Sequence, residues 1–394
     1  MDKTTVKKTI AILSLCCFLG AQAWVSPVMQ LIRDYFPSVD YSLVTQVATL
    51  PSLLSMIFVL LAGAVVGKKV RFIPLMSTGL VLIFLSGLIP LLYRDSFAVL
   101  LICRVLTGMG IGMIGIRNSL IIKSFEEPYR TKVLGWVMLA NSGMGVVAAK
   151  AAGFLGDIKW NYAFSVLVLA VVPLVLINLW VDEPELERTS EDTAVAEESS
   201  GKKRFLSPRV IAYTVTIFIV MMIINPINVG ISSIIANKNI GGASVSGTVV
   251  AFGMVSGALI GLFYNSIQKS IKRFIWTVMF LSIALGAILI ITANSVLLMI
   301  IGNMLINVSI SMTTVTMARY IGLTAYPETF ALSVSLSTAF GQLGNYAATY
   351  WMGACSRLFG NIDIYTACLY MAIIVSSIPG LISIFKDLRP KEAK

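Results

Sequence analysis

The chain has 394 residues, 57% of them hydrophobic and only 12% charged, with a mean hydropathy of +0.88. That is more apolar surface than one soluble core can hide, so the sequence is that of an integral membrane protein and excludes a soluble domain. A net charge of +11 would suit nucleic acid, but the basic residues are spread along the chain in a pattern that belongs to a membrane instead.

At the amino terminus Lys3, Lys7 and Lys8 precede an apolar run and the small triplet Ala21-Gln22-Ala23, the outline of a secretory signal and its cleavage site. Eleven further runs follow, and an even total fits the charge pattern, so the first run is read as a retained helix. A spanning helix needs roughly 20 mostly apolar residues. Twelve such runs lie at about 9–31, 42–66, 72–93, 97–122, 132–156, 160–181, 209–236, 244–267, 274–293, 296–318, 329–356 and 363–385. They are too long for the strands of a β-barrel, and lipid offers the backbone no partner outside a helix. The expectation is an all-α membrane protein.

With the amino terminus in the cytoplasm, twenty of the thirty Lys and Arg fall in cytoplasmic segments, five in external loops and five within spans or at their ends. This positive-inside asymmetry puts both termini in the cytoplasm. The five cysteines all lie in spans, where no disulfide framework is implied. One polar stretch, from Asp182 to Pro208 with eight acids and then a basic cluster, divides the spans six and six. We read residues 1–181 as one six-helix bundle, 182–207 as a solvated linker and 208–394 as a second bundle.

The halves echo each other at an offset near 199 residues. Pro27 answers to Pro226, Gly63 to Gly261 and Gly153 to Gly353, and the basic turns "GKKVRF" and "QKSIKRF" occupy matching places. Pro27 and Pro226 predict kinks in the first and seventh spans.

These features resemble the major facilitator superfamily over essentially the whole chain. "GAVVGKKVRF" after the second span is similar to that family's Gly-x-x-x-Asp-Arg-x-Gly-Arg-Arg loop through Gly63, Lys68, Lys69 and Arg71, although Gly67 stands where the family has Asp. "CRVLTGMGIGMIG" resembles its Arg-x-x-x-Gly-x-Gly-x-Gly pattern through Arg104, Gly108, Gly110 and Gly112, and "WNYAF" its Trp-Arg-x-x-Phe entry through Trp160 and Phe164. The resemblance implies twelve helices in two pseudo-symmetric bundles that rock about a central site. Spans one, four, seven and ten would line the path, helped by two, five, eight and eleven. Gly63, Lys68, Lys69 and Arg71 would serve the gate, and Arg117, placed near the cytoplasmic end of the fourth span, is read as contacting headgroups or the gate. The missing Asp puts the usual charge latch of that gate in question, and "VVAAKAAG" in the fifth span departs from the Gly-Pro signature of proton-driven exporters.

A charge at mid-bilayer costs on the order of 3 kcal/mol, so one that is present faces water, a partner or a ligand. Arg104 and Lys150 are the two deep cations, each roughly 10 Å below the external end of its helix on what the order of spans makes neighbouring antiparallel helices. The bland readings are that Lys150 reaches for the interface and that Arg104 braces the bundle through backbone carbonyls. The sharper reading starts from the acids: all nineteen lie at or beyond span ends, and there is no histidine. A cavity holding fixed positive charge and no negative charge attracts an anion. Gln22 and Ser26, Asn225, Asn303 and Asn307, and Gln342 and Tyr346 would add neutral contacts from the first, seventh, tenth and eleventh spans. The same residues also suit interhelical hydrogen bonds.

Without histidine, span carboxylates or paired cysteine ligands, the chain offers no metal site, cofactor site or acid–base pair and is not read as an enzyme. The expected function is transport of a small organic anion, by exchange or facilitated diffusion, in the cell membrane and as a monomer. Exchange is favoured because closing an empty cavity over unneutralised cations costs more than closing it over a bound anion. The alternative is a proton-linked exporter of drugs or amphiphiles, with Met221, Met222, Phe252 and Phe340 as a greasy pocket and Lys150 as the proton carrier.

Overall fold

Apolar runs in lipid satisfy their backbone groups internally, and the fold follows from that necessity. A computed structural model of the chain describes residues 3–20, 24–66, 70–126, 129–184, 206–271, 274–326, 329–360 and 362–388. The first span comprises helix Lys3–Gly20, a 3-10 turn Ser26–Val28 and helix Met29–Tyr35, so the chain reshapes where Pro27 predicted a kink. The second and third spans are helices Tyr41–Val65 and Phe72–Leu92, and the fourth comprises Phe97–Ile114 and Arg117–Ser124 with a break at Gly115. Helix Tyr129–Ile158 is the fifth span, and the sixth joins a 3-10 turn Trp160–Phe164 to helices Ser165–Val168 and Val171–Trp180. Spans seven to twelve are Pro208–Asn237, Ala243–Ile271, Ile275–Thr292, Val296–Thr324, Phe330–Phe359 and Ile364–Leu388. The seventh keeps one helix through Pro226, where the first span instead breaks at Pro27.

The helix starts are set by side chains on the face opposite the termini. Asp40 accepts the Ser42 N–H at 2.8 Å at the start of the second span, and Asp363 accepts those of Tyr365 and Thr366 at 3.1 and 3.2 Å at the start of the twelfth. Ser96 and Ser295, which stand 199 positions apart, cap the fourth and tenth spans. On the face bearing the termini, the Glu183 carboxylate takes the N–H groups of both Phe72 and Ile73, tying the end of the sixth span to the start of the third.

Packing repeats with the sequence. The second and third spans pack on the fourth and the first on the fifth and sixth; correspondingly the eighth and ninth pack on the tenth, and the seventh on the eleventh and twelfth. Each half keeps its own apolar core, built on residues such as Ile12, Leu80, Phe164 and Leu167 in one and Ile231, Ile283, Met299 and Ile306 in the other. The halves meet along two seams, the fifth span against the eighth and the second against the eleventh, and between them the 3-10 turn of the first span lies on the seventh and eighth and its helix Met29–Tyr35 on the seventh.

Candidate functional site

Those two seams define the path, because they are closed at one end and splayed at the other. Away from the termini, the fifth and eighth spans touch backbone to backbone: a Cβ on Gly153 would sit 2.5 Å from the Ala243 carbonyl oxygen, and one on Gly247 2.4 Å from that of Ala149. Only hydrogen fits there. Asp157 reaches across to accept the N–H of Ala243 at 2.9 Å and of Ser244 at 3.0 Å, which caps a helix of the opposite bundle. In the other seam, Thr49 and Thr349 share a hydrogen bond of 2.8 Å, and the rings of Tyr41 and Tyr365 meet edge to face at 5.6 Å. Between the seams, Ser232 accepts the Gln30 N–H at 3.2 Å.

Toward the termini the same helix faces lose their partners. Met138 lies eleven residues before Ala149, within about 20° on the helix surface, yet it is 71% exposed. Leu60 stands eleven residues past Thr49 and is 48% exposed, while Gly63, Gly135 and Gly143 have no neighbour where a Cβ would be. The molecule is therefore open on the side that carries its termini and shut on the other.

Arg104 lies on the shut side, with no exposed surface. Its Nε donates to the Val47 carbonyl at 2.6 Å and Nη1 to Thr107 Oγ1 at 3.4 Å, its guanidinium stacks 5.1 Å from the Trp24 ring centre, and Nη2 has no acceptor. Asn303, buried and 199 positions further on, repeats the arrangement: its Nδ2 donates to the Val249 carbonyl at 2.9 Å, and its Oδ1 is unpartnered. Each half thus braces its fourth helix to its second through a polar side chain at one equivalent position. The duplication holds this correspondence, but only the contacts reveal what it is for.

The geometry corrects the expected pairing of Arg104 with Lys150. The piece Phe97–Ile114 that carries Arg104 packs chiefly on the second and third spans, while the fifth packs chiefly on the first and eighth and meets the fourth through its Arg117–Ser124 piece, so the two cations do not face each other across one helix pair. Lys150 is exposed and shares its side of the helix with exposed Val147 and Phe154, three residues before and four after. That side is the outer flank of a closed seam, where its ammonium group donates to Thr248 Oγ1.

Other expected contacts are taken up by the helices themselves, the Asn225 bond joining the seventh and eleventh spans and the rest each lying within one helix. Asn225 Nδ2 donates to the Asn345 carbonyl at 2.8 Å, Asn307 Nδ2 to the Asn303 carbonyl at 2.9 Å, Asn345 Nδ2 to Gln342 Oε1 at 3.4 Å, and Tyr346 shares a hydrogen bond of 3.2 Å with Tyr350. Asn307 and Gln342 remain half-buried, with exposed Thr314 one helix face below the former and exposed Thr338 below the latter. Ser26 is half-buried in its 3-10 turn. Arg117 opens the second piece of the fourth span, half-buried near Cys16, and its Nε has no acceptor. Gly63 and Arg71 flank the turn after the second span, both exposed, whereas Gln22, Lys68 and Lys69 lie outside the described residues. No cluster of His, Cys, Asp or Glu that could hold a metal occurs among the described residues, and all five cysteines are free.

A duplicated six-helix bundle with two seams around one vestibule is a transporter architecture. The sequence profile of the Major Facilitator Superfamily matches residues 10–349, and the chain belongs to that family. Solved structures agree. A mutant form of the nucleoside transporter NupG superposes with a TM-score of 0.76 at 9% identity, covering 96% of this chain and 99% of that one. A D-xylose-proton symporter gives 0.72 at 15% identity, with 96% and 97% covered, and the human organic anion transporter MFSD10 (TETRAN) gives 0.66 at 14%, with 97% and 100% covered. At these identities the likeness is one of fold. No curated protein sequence matches the chain. Members of the family are transporters of small molecules across a bilayer and not enzymes.

Proposed function

We propose that the chain carries a small organic anion by alternating access, exchanging one anion for another across the cell membrane. The observation that carries this reading is electrostatic. Both guanidiniums of the fourth span, buried Arg104 and half-buried Arg117 near its end, keep an N–H without an acceptor, and Arg104 has only neutral partners among the described residues. Burying an unpaired cation costs several kcal/mol, and an anionic guest that reaches it recovers part of that cost. In this state the vestibule is shut above Arg104 and open below, where Arg117 stands. The positive-inside pattern makes the open side cytoplasmic, with both termini there. Each chain encloses its own vestibule between its two bundles, so one copy suffices.

Counterflow in proteoliposomes tests the proposal. Vesicles preloaded with a labelled monocarboxylate, dicarboxylate or organic phosphate should release it several-fold faster when the same class of anion is added outside, and neutral sugars should not replace it. Release indifferent to external anion for every class would remove exchange, and uptake confined to neutral or cationic solutes would remove the anion. A second reading has one observation in its favour: Met138 and Leu60, on the walls of the open half, are bare apolar surface. Pumping of amphiphilic dyes driven by a pH gradient, with no anion counterflow, would select it.

A further inference from the structure

We propose that Lys150 belongs to a lock holding the two bundles together on the side away from the termini, and that it does not bind substrate. The inference rests on the alternating-access part of the functional reading and not on the identity of the substrate. It begins from the internal repeat. Thr248 stands 199 positions after Thr49, and Thr349 stands 199 after Lys150. The structure pairs these four residues crosswise. Thr49 of the second span bonds Thr349 of the eleventh, and Thr248 of the eighth accepts from Lys150 of the fifth. The two seams are therefore shut by the same pair of positions, one filled by Thr and Thr and the other by Thr and Lys.

In the fifth–eighth seam this hydrogen bond is the innermost of three contacts spaced about one helical turn apart. Gly153 and Gly247 make the next, where only bare backbone fits, and Asp157 makes the third by capping the eighth span. All three cross between bundles, so all three must break for the vestibule to open on this side. A lysine is suited to its place for a physical reason. Its apolar stem suits the helix side it shares with exposed Val147 and Phe154, while its ammonium group finds a hydroxyl partner across the seam that is in reach only while the seam is closed.

The test is a distance measurement without substrate. Spin labels on Tyr93→Cys and Asn294→Cys, exposed loop positions of opposite bundles on the shut side, report the width of the mouth in a chain whose half-buried Cys17 is replaced by serine. The parent should give one short-distance population. Asp157→Asn and Lys150→Met should each raise the ratio of long to short distances by roughly tenfold, the equivalent of one charge-assisted hydrogen bond. Lys150→Thr, which installs the residue of the other seam, should stay nearer the parent than Lys150→Met does. Unchanged distances in both Asp157→Asn and Lys150→Met would overturn the lock. So would a rise in KM for transport in Lys150→Met with the distances unchanged, which would return the lysine to the substrate. Failure of the anion reading would show only in transport selectivity and leave these distances untouched.

Discussion

Arg104 is a cation held by a backbone carbonyl, a threonine hydroxyl and an indole face, with one N–H left over. Bracing explains the carbonyl bond, and Asn303 shows that a neutral amide braces the equivalent place in the other half. Bracing does not explain the charge, which a neutral side chain would spare. Arg104→Gln should therefore fold: it can keep the bond to Val47, and it removes a buried charge that has no counter-ion. Its melting temperature in detergent should stay within a few degrees of the parent. Arg104→Ala, which abandons the carbonyl and leaves a cavity under Trp24, should lose about 2–4 kcal/mol. If the charge serves the anion, Arg104→Gln should in addition cut anion counterflow at least tenfold despite its intact fold. Normal counterflow in that variant would make bracing the whole role.

At the scale of the helices, glycine does two different jobs, and substitution can separate them. Gly110 crosses Gly79 within the first bundle, and a Cβ on it would lie 2.4 Å from the Gly79 carbonyl oxygen; Gly302 is similarly pressed against Gly286 and Ile290 in the second. These crossings persist in any state that moves the bundles as units. Gly110→Ala should thus destabilise the fold outright, by about 1–3 kcal/mol of overpacking, and lower the melting temperature accordingly. Gly63→Ala, with open space around the added methyl group, should be neutral or gain up to about 1 kcal/mol from helix propensity. Gly153→Ala meets the other bundle, so it should spare stability and deplete only the shut state. The spans themselves were plain in the sequence, because lipid demands long apolar runs whatever their neighbours. Their partners were not. Adjacency in the chain suggested that Arg104 and Lys150 face each other across the fourth and fifth spans, but a near-uniformly apolar helix carries little record of which face meets protein and which meets lipid. The repeat held more than its matched prolines and glycines showed: it also relates Arg104 to Asn303 and Lys150 to Thr349, correspondences that gain meaning only once the contacts are known.

For the whole molecule, the closed seams and bare lower faces amount to one state of a two-state device, and that state can be read from outside. Met138 is bare on a face that is packed eleven residues further along, and Thr49 is buried where its seam is shut. A cysteine at either position then reports which mouth is open. In a chain with Cys17 replaced by serine, Met138→Cys should react with a membrane-impermeant maleimide from the side carrying the termini. Thr49→Cys should resist it from both sides. Sealed vesicles of each orientation tell the sides apart: reaction of Met138→Cys in inside-out and not in right-side-out vesicles places the termini and the open vestibule in the cytoplasm. The reverse result would invert the topology while leaving the conformation intact. Adding Asp157→Asn to the Thr49→Cys chain should expose the buried position from the opposite side, since bundles that move as rigid units open both seams together and carry Thr49 and Thr349 apart. If Thr49→Cys stays protected when the fifth–eighth seam is weakened, the two seams open independently, and the bundles do not move as rigid units.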